Sequence, residues 1–149
     1  MAKIIWNEAI TSANKAEIEK HLEPFLWLVP KWCQHLFIGL WDADGEASIS
    51  TLVDYQYRRI ELNFYSSWLT QSEYLKRDNV IHECVHFNVN PLFIEARNIF
   101  INCLENEQLK NYAFEQLKTA VESITQDLTF AINSQFDKQN VTYYITHLT

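Results

Sequence analysis

The chain has 149 residues, 48% of them hydrophobic and 14% aromatic, which is enough for one domain with a packed core and argues against disorder. The formal net charge is -7 and no basic run offsets it. Nucleic-acid partners are therefore not expected, since they are bound through clusters of Lys and Arg. No apolar run approaches the ~20 residues that span a bilayer, and no signal pattern opens the chain, so we expect no membrane partner. The three cysteines lack C-x-x-C spacing, which favours reduced thiols and a cytoplasmic location.

A first helix is predicted over residues 14–29. Asn14 is its expected N-cap, with Glu17 three residues later as in a capping box, and apolar residues follow at helical spacing. Pro24 interrupts the pattern and predicts a kink or a restart, and Pro30 ends it.

Three strands are predicted next, forming a small, mostly antiparallel sheet. The last of them alternates, so that Ile60, Leu62 and Phe64 face one side. The segment DADGE (42–46) is expected to form a hairpin turn rather than a calcium site, because the distal glutamate of a calcium loop is missing. The predicted strands are WCQHLFIGLW (32–41), ASISTLVDYQY (47–57) and RRIELNFY (58–65).

Helices account for the rest of the predicted fold. Thr70 and Glu73 form a second capping box, and this helix is expected to end at Asn90 because a residue before proline avoids the helical conformation. Two further helices are predicted, over 92–104 and 113–132. The expected buried stripe of the last one is Phe114, Leu117, Val121, Ile124, Leu128 and Ile132.

The fold class predicted from these elements is α+β, in a single domain spanning 1–149. Its core is expected over about 14–132, with a C-terminal tail at 133–149. The end of that tail, VTYYITHLT, has strand propensity and favours either an added edge strand or a loose end.

The segment NVIHECVHFNVNP (79–91) carries the main chemical signal. His82 and His86 are one helical turn apart on the same face, so their imidazoles can bind one ion. Glu83 projects about 100° round the helix from His82, where it can hold a water molecule without ligating the ion. This pattern predicts zinc-assisted hydrolysis with Glu83 as general base. The alternative is an ordinary helix with two incidental surface histidines.

A zinc site needs a third protein ligand. The remaining histidines form no second helical motif. Among the downstream carboxylates, Glu115 and Glu122 lie two turns apart on the last predicted helix and flank its apolar stripe. Either can reach a neighbouring helix, and the alternative for each is a solvated surface glutamate.

The sequence HECVH on a helix, with a glutamate from a later helix, resembles the gluzincin arrangement of zincin-type metallopeptidases. Together with FLWLVPKW, YRRIELNF and VESITQDLTFAI, it is similar over about residues 15–132 to small metallopeptidase-like proteins of phages and prophages. The resemblance implies a zincin-like fold, a Zn²⁺ cofactor, His82, His86 and Glu122 as ligands, and Glu83 as the base.

The resemblance also ranks the two candidate third ligands. In such proteins the glutamate precedes an apolar or threonine position and then a leucine, as Glu122 precedes Thr125 and Leu128. Glu115 precedes Lys118 instead, so Glu115 is the fallback ligand.

The function implied is a zinc metallopeptidase whose peptide or protein substrate adds to an exposed edge of the sheet. No oxyanion-stabilising residue is implied, and the candidates by chemistry alone are Tyr112, Tyr143, Tyr144 and His147. Alternatives are a non-enzymatic, partner-binding protein with a relic metal site, and a plain α+β domain. An SprT-like protease is disfavoured because no histidine follows closely and no four-cysteine ribbon is present.

Overall fold

The computed structural model describes residues 2–42 and 47–147, with side chains described as far as residue 138. The chain is α+β, with a four-stranded mixed sheet and four α-helices among these residues, and Glu23–Leu28 forms a 3-10 helix. The elements are β1 (Lys3–Trp6), α1 (Ser12–Leu22), β2 (His35–Trp41), β3 (Ile49–Asp54), β4 (Arg59–Tyr65), α2 (Ser66–Leu69), α3 (Glu73–Cys103) and α4 (Glu107–His147).

The sheet has the order β1-β2-β4-β3, with β1 and β4 both parallel to β2 and with β3 antiparallel to β4. The prediction of three mostly antiparallel strands is therefore wrong in number and in pairing. β1 has only four residues, too few to show a period-2 pattern. The predicted turn falls largely on residues 43–46, outside the described part of the chain, and the strands on either side of it do not pair with each other.

One face of the sheet builds the core. Ile60, Leu62 and Phe64 are fully buried, which confirms the alternation predicted for β4. They pack with buried residues of α1 and α3, so both helices cover the same face of the sheet.

Two helix starts differ from the predictions. Thr11, not Asn14, caps α1, and its hydroxyl accepts from the Asn14 N–H at 3.2 Å. Ser72, not Thr70, caps α3 and accepts from the Leu75 N–H at 3.4 Å. In both places another residue able to cap lies within three positions of the predicted one, and sequence spacing alone did not separate them.

α3 runs for 31 residues through Pro91, so the predicted end at Asn90 is wrong, and only one helix follows instead of two. Proline inside a helix removes one hydrogen bond and costs about 3 kcal/mol. The part of α3 beyond Pro91 packs against α4, as the contact between the Phe93 and Phe114 rings shows. This packing offsets the cost and keeps the two halves of α3 in one helix.

α4 begins after Asn106, whose side chain accepts from the N–H groups of Gln108 and Leu109 at 2.9 and 3.1 Å. Its backbone is helical to His147, so the added strand, one of the two alternatives for the tail, is not formed by the described residues. Extending an existing helix adds one hydrogen bond per residue without a new nucleation cost, which outweighs the local strand propensity.

α4 buries a different face from the one predicted. Ile124 and Leu128 are 50% and 44% exposed, whereas Thr125, Thr129 and Asn133 are buried. The predicted burial of the apolar stripe is therefore wrong at Ile124 and Leu128 and is confirmed at Val121. The buried polar residues follow Val121 at intervals of four, along one side of the helix.

None of the helices among the described residues has an apolar stretch long enough to cross a membrane.

Candidate metal centre

His82, His86 and Glu122 meet between α3 and α4, although 36 residues separate His86 from Glu122 in the sequence. One ligand atom from each lies within 4.8 Å of the other two. His82 and His86 occupy successive turns of one helix face, while Glu122 reaches across from the neighbouring helix. His86 is buried and half of the Glu122 side chain is exposed, so the cluster opens to solvent on its α4 side.

The spacing of these atoms matches the geometry that zinc requires. Ligand atoms bound to one tetrahedral zinc at 2.0–2.1 Å lie about 3.3 Å apart. The two histidine Nε2 atoms are 3.2 Å apart. Glu122 Oε2 lies 3.6 Å from Nε2 of His82 and 3.7 Å from Nε2 of His86. Two imidazoles and a carboxylate are also a ligand set that zinc accepts, so the residues fit this metal.

Asn90 holds the ring of His86. The Asn90 side-chain oxygen lies 3.2 Å from His86 Nδ1, and an amide oxygen only accepts, so Nδ1 carries the proton and donates it. That tautomer leaves the Nε2 lone pair facing His82 and Glu122, where a metal ligand needs it. Asn90 follows His86 by four residues, so helical spacing could have identified it from the sequence.

We expect Asn90→Leu to weaken zinc binding by about 10- to 100-fold, the usual effect of losing an outer hydrogen bond to a ligating histidine. The free energy of unfolding of the metal-free protein should change little, because Asn90 is only partly buried. Competition against a chromophoric chelator measures the affinity. The matched control is Asn98→Leu, at an exposed position two turns later on α3, and equal affinities for the two variants would contradict the role of Asn90.

Glu83 lies beside the cluster, against β3. The Thr51 hydroxyl of that strand donates to the main-chain oxygen of Glu83 at 3.4 Å. Burial raises the pKa of the Glu83 carboxyl to about 7, the Thr51 hydroxyl opposes the rise, and the charge on Glu122 adds to it. A carboxyl group with a pKa near neutrality can both take up and release a proton, which is what a general base requires.

Burial also lowers the pKa of His86, and the charge of Glu122 acts against this change. The neutral imidazole is the form that binds metals. The environment of His86 therefore favours its ligating state near neutral pH.

A cluster of polar side chains, from the start of α3 and from the part of α4 beyond Glu122, fixes how α4 lies against α3. The Asn133 side chain accepts from Arg77 Nε at 2.7 Å and donates to Asp78 at 2.8 Å, and Arg77 also pairs with Asp137. Asn133 is buried, so these hydrogen bonds cannot be replaced by water without moving the helices. They set the register that brings Glu122 opposite the two histidines.

No family model, curated protein or solved structure matches this chain. The resemblance to phage metallopeptidase-like proteins therefore stays a prediction.

A second group of possible ligands, which no sequence pattern indicated, consists of Glu17, His21 and Glu73. Lys76 and Lys20 pair with these two glutamates at 2.5 and 2.6 Å. The two lysines already balance the two carboxylates, whereas no lysine or arginine pairs with Glu122 among the described side chains. The second group is therefore a structural ion-pair cluster, and the first is the better cation site.

The other predicted site residues lie elsewhere. Glu115, the fallback ligand, precedes Glu122 by two turns, or about 10 Å of helix, and it is not part of the cluster. Tyr112 lies about 15 Å before Glu122 along α4 and is exposed, so it does not reach the site. The side chains of Tyr143, Tyr144 and His147 lie outside the described part of the chain.

Proposed function

We propose that the protein is a zinc-dependent, zincin-like metallopeptidase, with His82, His86 and Glu122 as metal ligands and Glu83 as general base. The observation that carries this proposal is the set of separations between the three ligand atoms, 3.2, 3.6 and 3.7 Å, in residues from two different helices. Two imidazole nitrogens and one carboxylate oxygen at this spacing can hold one tetrahedral ion, and no lysine or arginine among the described side chains pairs with this carboxylate, unlike the glutamates beside His21.

Each residue has a separate part in the hydrolysis. Zinc, when bound, lowers the pKa of a water molecule to about 7 and polarises the carbonyl group. Glu83 takes the proton of the attacking water and passes it to the leaving amine. Asn90 keeps His86 in its ligating tautomer, and Thr51 holds β3 against the turn of α3 that carries Glu83.

The sheet supplies a place for an extended peptide. β3 is an edge strand, paired only with β4 among the described residues, and Thr51 at its middle is in contact with Glu83. A peptide that adds to the free edge of β3 would satisfy unpaired backbone groups and bring one of its carbonyls beside the cluster.

The test is metal content together with hydrolysis. We expect purified protein to bind one zinc per chain, and His82→Ala to lose it, as measured by elemental analysis after exposure to zinc. Zinc-loaded protein should cleave members of a mixed peptide library detected by mass spectrometry, and chelation should stop the cleavage. Metal-free wild-type protein after zinc exposure would overturn the proposal.

One observation favours a second candidate, a partner-binding protein that keeps the metal site without activity. Besides the ligands, the described residues that line the adjoining cavity include no tyrosine, arginine or further histidine, so the polar groups left to stabilise an oxyanion there are Thr51, Asn90 and the exposed Lys118. Stoichiometric zinc without cleavage of any library member would support this candidate over the peptidase.

A further inference from the structure

A cavity of about 440 Å³ adjoins the candidate metal centre. We call it the α3–α4 cavity, because those helices form two of its walls and β3 forms the third. His86 and Glu122 line it, so a molecule in the cavity would touch the proposed metal ligands. Its volume lies at the lower end of the 300–1,000 Å³ typical of small-ligand sites. The other lining residues are Thr51, Leu52, Val53, Asn90, Phe93, Ile94, Phe114, Lys118 and Val121.

The lining residues follow a definite order along α4. Lys118 precedes Glu122 by one turn, about 6 Å, and Phe114 precedes it by two turns, about 12 Å. Phe114 contacts Phe93 of α3, with ring centroids 5.5 Å apart, and is the α4 lining residue farthest along the helix from Glu122. Along α4 the lining therefore runs from the metal centre past a cation to an aromatic pair.

Among the lining residues that the structure describes, Lys118 is the only lysine or arginine. Among the described side chains it has no ion pair or hydrogen bond, although Glu115 and Glu122 are within one turn of it on the same helix. Most of the remaining lining is apolar, from Leu52, Val53, Ile94 and the aromatic pair. An apolar cavity with one unpaired cation suits a ligand that has an apolar body and one negative charge.

We propose that the α3–α4 cavity binds the C-terminal residue of a peptide, with its apolar side chain inside the cavity and its terminal carboxylate paired with Lys118. One extended residue spans about 3.3–3.6 Å. A carboxylate one residue beyond a carbonyl at the metal centre is thus within reach of the flexible four-carbon chain of Lys118.

The inference rests on the proposed function and narrows it to removal of C-terminal apolar residues. In that reaction the hydroxyl of water bonds to the carbonyl carbon and the peptide C–N bond breaks. The remaining proton goes to the amine through Glu83, which releases a free amino acid and a shortened peptide. No oxidant or other reactant is required.

Binding measurements test the assignment separately from catalysis. The protein as purified, carrying Glu83→Gln to prevent turnover, is titrated by calorimetry with acetyl-Ala-Phe and with its C-terminal amide. We expect the carboxylate form to bind about fivefold more tightly, the ratio that an exposed charge pair can supply. Lys118→Met should bring the ratio close to one. Lys110→Met is the matched control, since Lys110 is on the same helix but outside the cavity and pairs with Glu107.

Equal binding of the two peptides, binding of neither, or a carboxylate preference that survives Lys118→Met would overturn the assignment. Cleavage by zinc-loaded wild-type protein at interior bonds only would also overturn it, while leaving the metallopeptidase proposal intact. A carboxylate preference that depends on Lys118, found in a protein that cleaves nothing, would uphold the binding site and overturn the proposed function instead.

Discussion

Glu83→Gln should lower peptide hydrolysis by about 10²- to 10⁴-fold, the range that a positioned general base contributes. Glutamine keeps the size of the side chain but cannot accept a proton from water. The metal content should stay at one zinc per chain, because Glu83 is not part of the ligand cluster. The measurement is kcat/KM for a peptide found in the library screen, with elemental analysis on the same sample.

The burial of Glu83 distinguishes it from the exposed glutamates of the same helix. Burial raises the pKa of its carboxyl to about 7 without a metal, and a cation bound nearby would lower that pKa and favour the charged base. Glu95→Gln is the matched control, at an exposed position on the same helix. If Glu83→Gln hydrolysed the peptide at a rate within a few-fold of wild type, Glu83 would not be the general base. If this variant lost zinc, Glu83 would be needed for metal binding, which would contradict its role as a base outside the ligand cluster.

Glu122→Ala should weaken zinc binding by more than about 100-fold, beyond the 10- to 100-fold cost of changing an outer hydrogen bond. Glu122 supplies the single anionic ligand atom of the cluster, at 3.6 and 3.7 Å from the two imidazole nitrogens. Half of its side chain is exposed, so the variant should fold as the wild type does. Chelator competition gives the affinity, and circular dichroism checks the fold.

The matched control is Glu115→Ala, which removes the same charge from the same face of α4 two turns earlier. We expect its zinc affinity to stay within about threefold of wild type, since a screened surface charge contributes little. If Glu115→Ala lost zinc and Glu122→Ala kept it, the ligand assignment would be reversed. If both variants kept zinc, a site built from α3 and α4 would be excluded.

The strands and helices differ in how far sequence patterns located them. β4 was predicted correctly because its burial alternates with every residue, whereas β1 was missed because four residues give no period. The helix boundaries at Asn90 and in the tail were wrong for another reason. Local preferences around Pro91 and VTYYITHLT oppose a helix, and packing or helix propagation outweighs them.

The apolar pattern of α4 also failed to predict which face of the helix is buried. Ile124 and Leu128 have the right spacing for a buried stripe, yet Thr125 and Thr129 occupy the interface. Threonines are smaller than leucine or isoleucine and allow α4 to lie close to α3, where Asn133 can reach Arg77 and Asp78. The hydrogen bonds of one buried polar residue thus had more influence on the rotation of the helix than its apolar pattern.

The amino-acid sequence by itself determined the spacing of His82, Glu83 and His86, because the 3.6-residue turn of any helix puts the two imidazoles together and the carboxyl to one side. Only the tertiary structure decided which carboxylate joins them. That choice depends on the register and rotation of α4 against α3, which are fixed by contacts between residues more than fifty positions apart. No local pattern carries this information, since helical periodicity describes one helix and not its alignment with another.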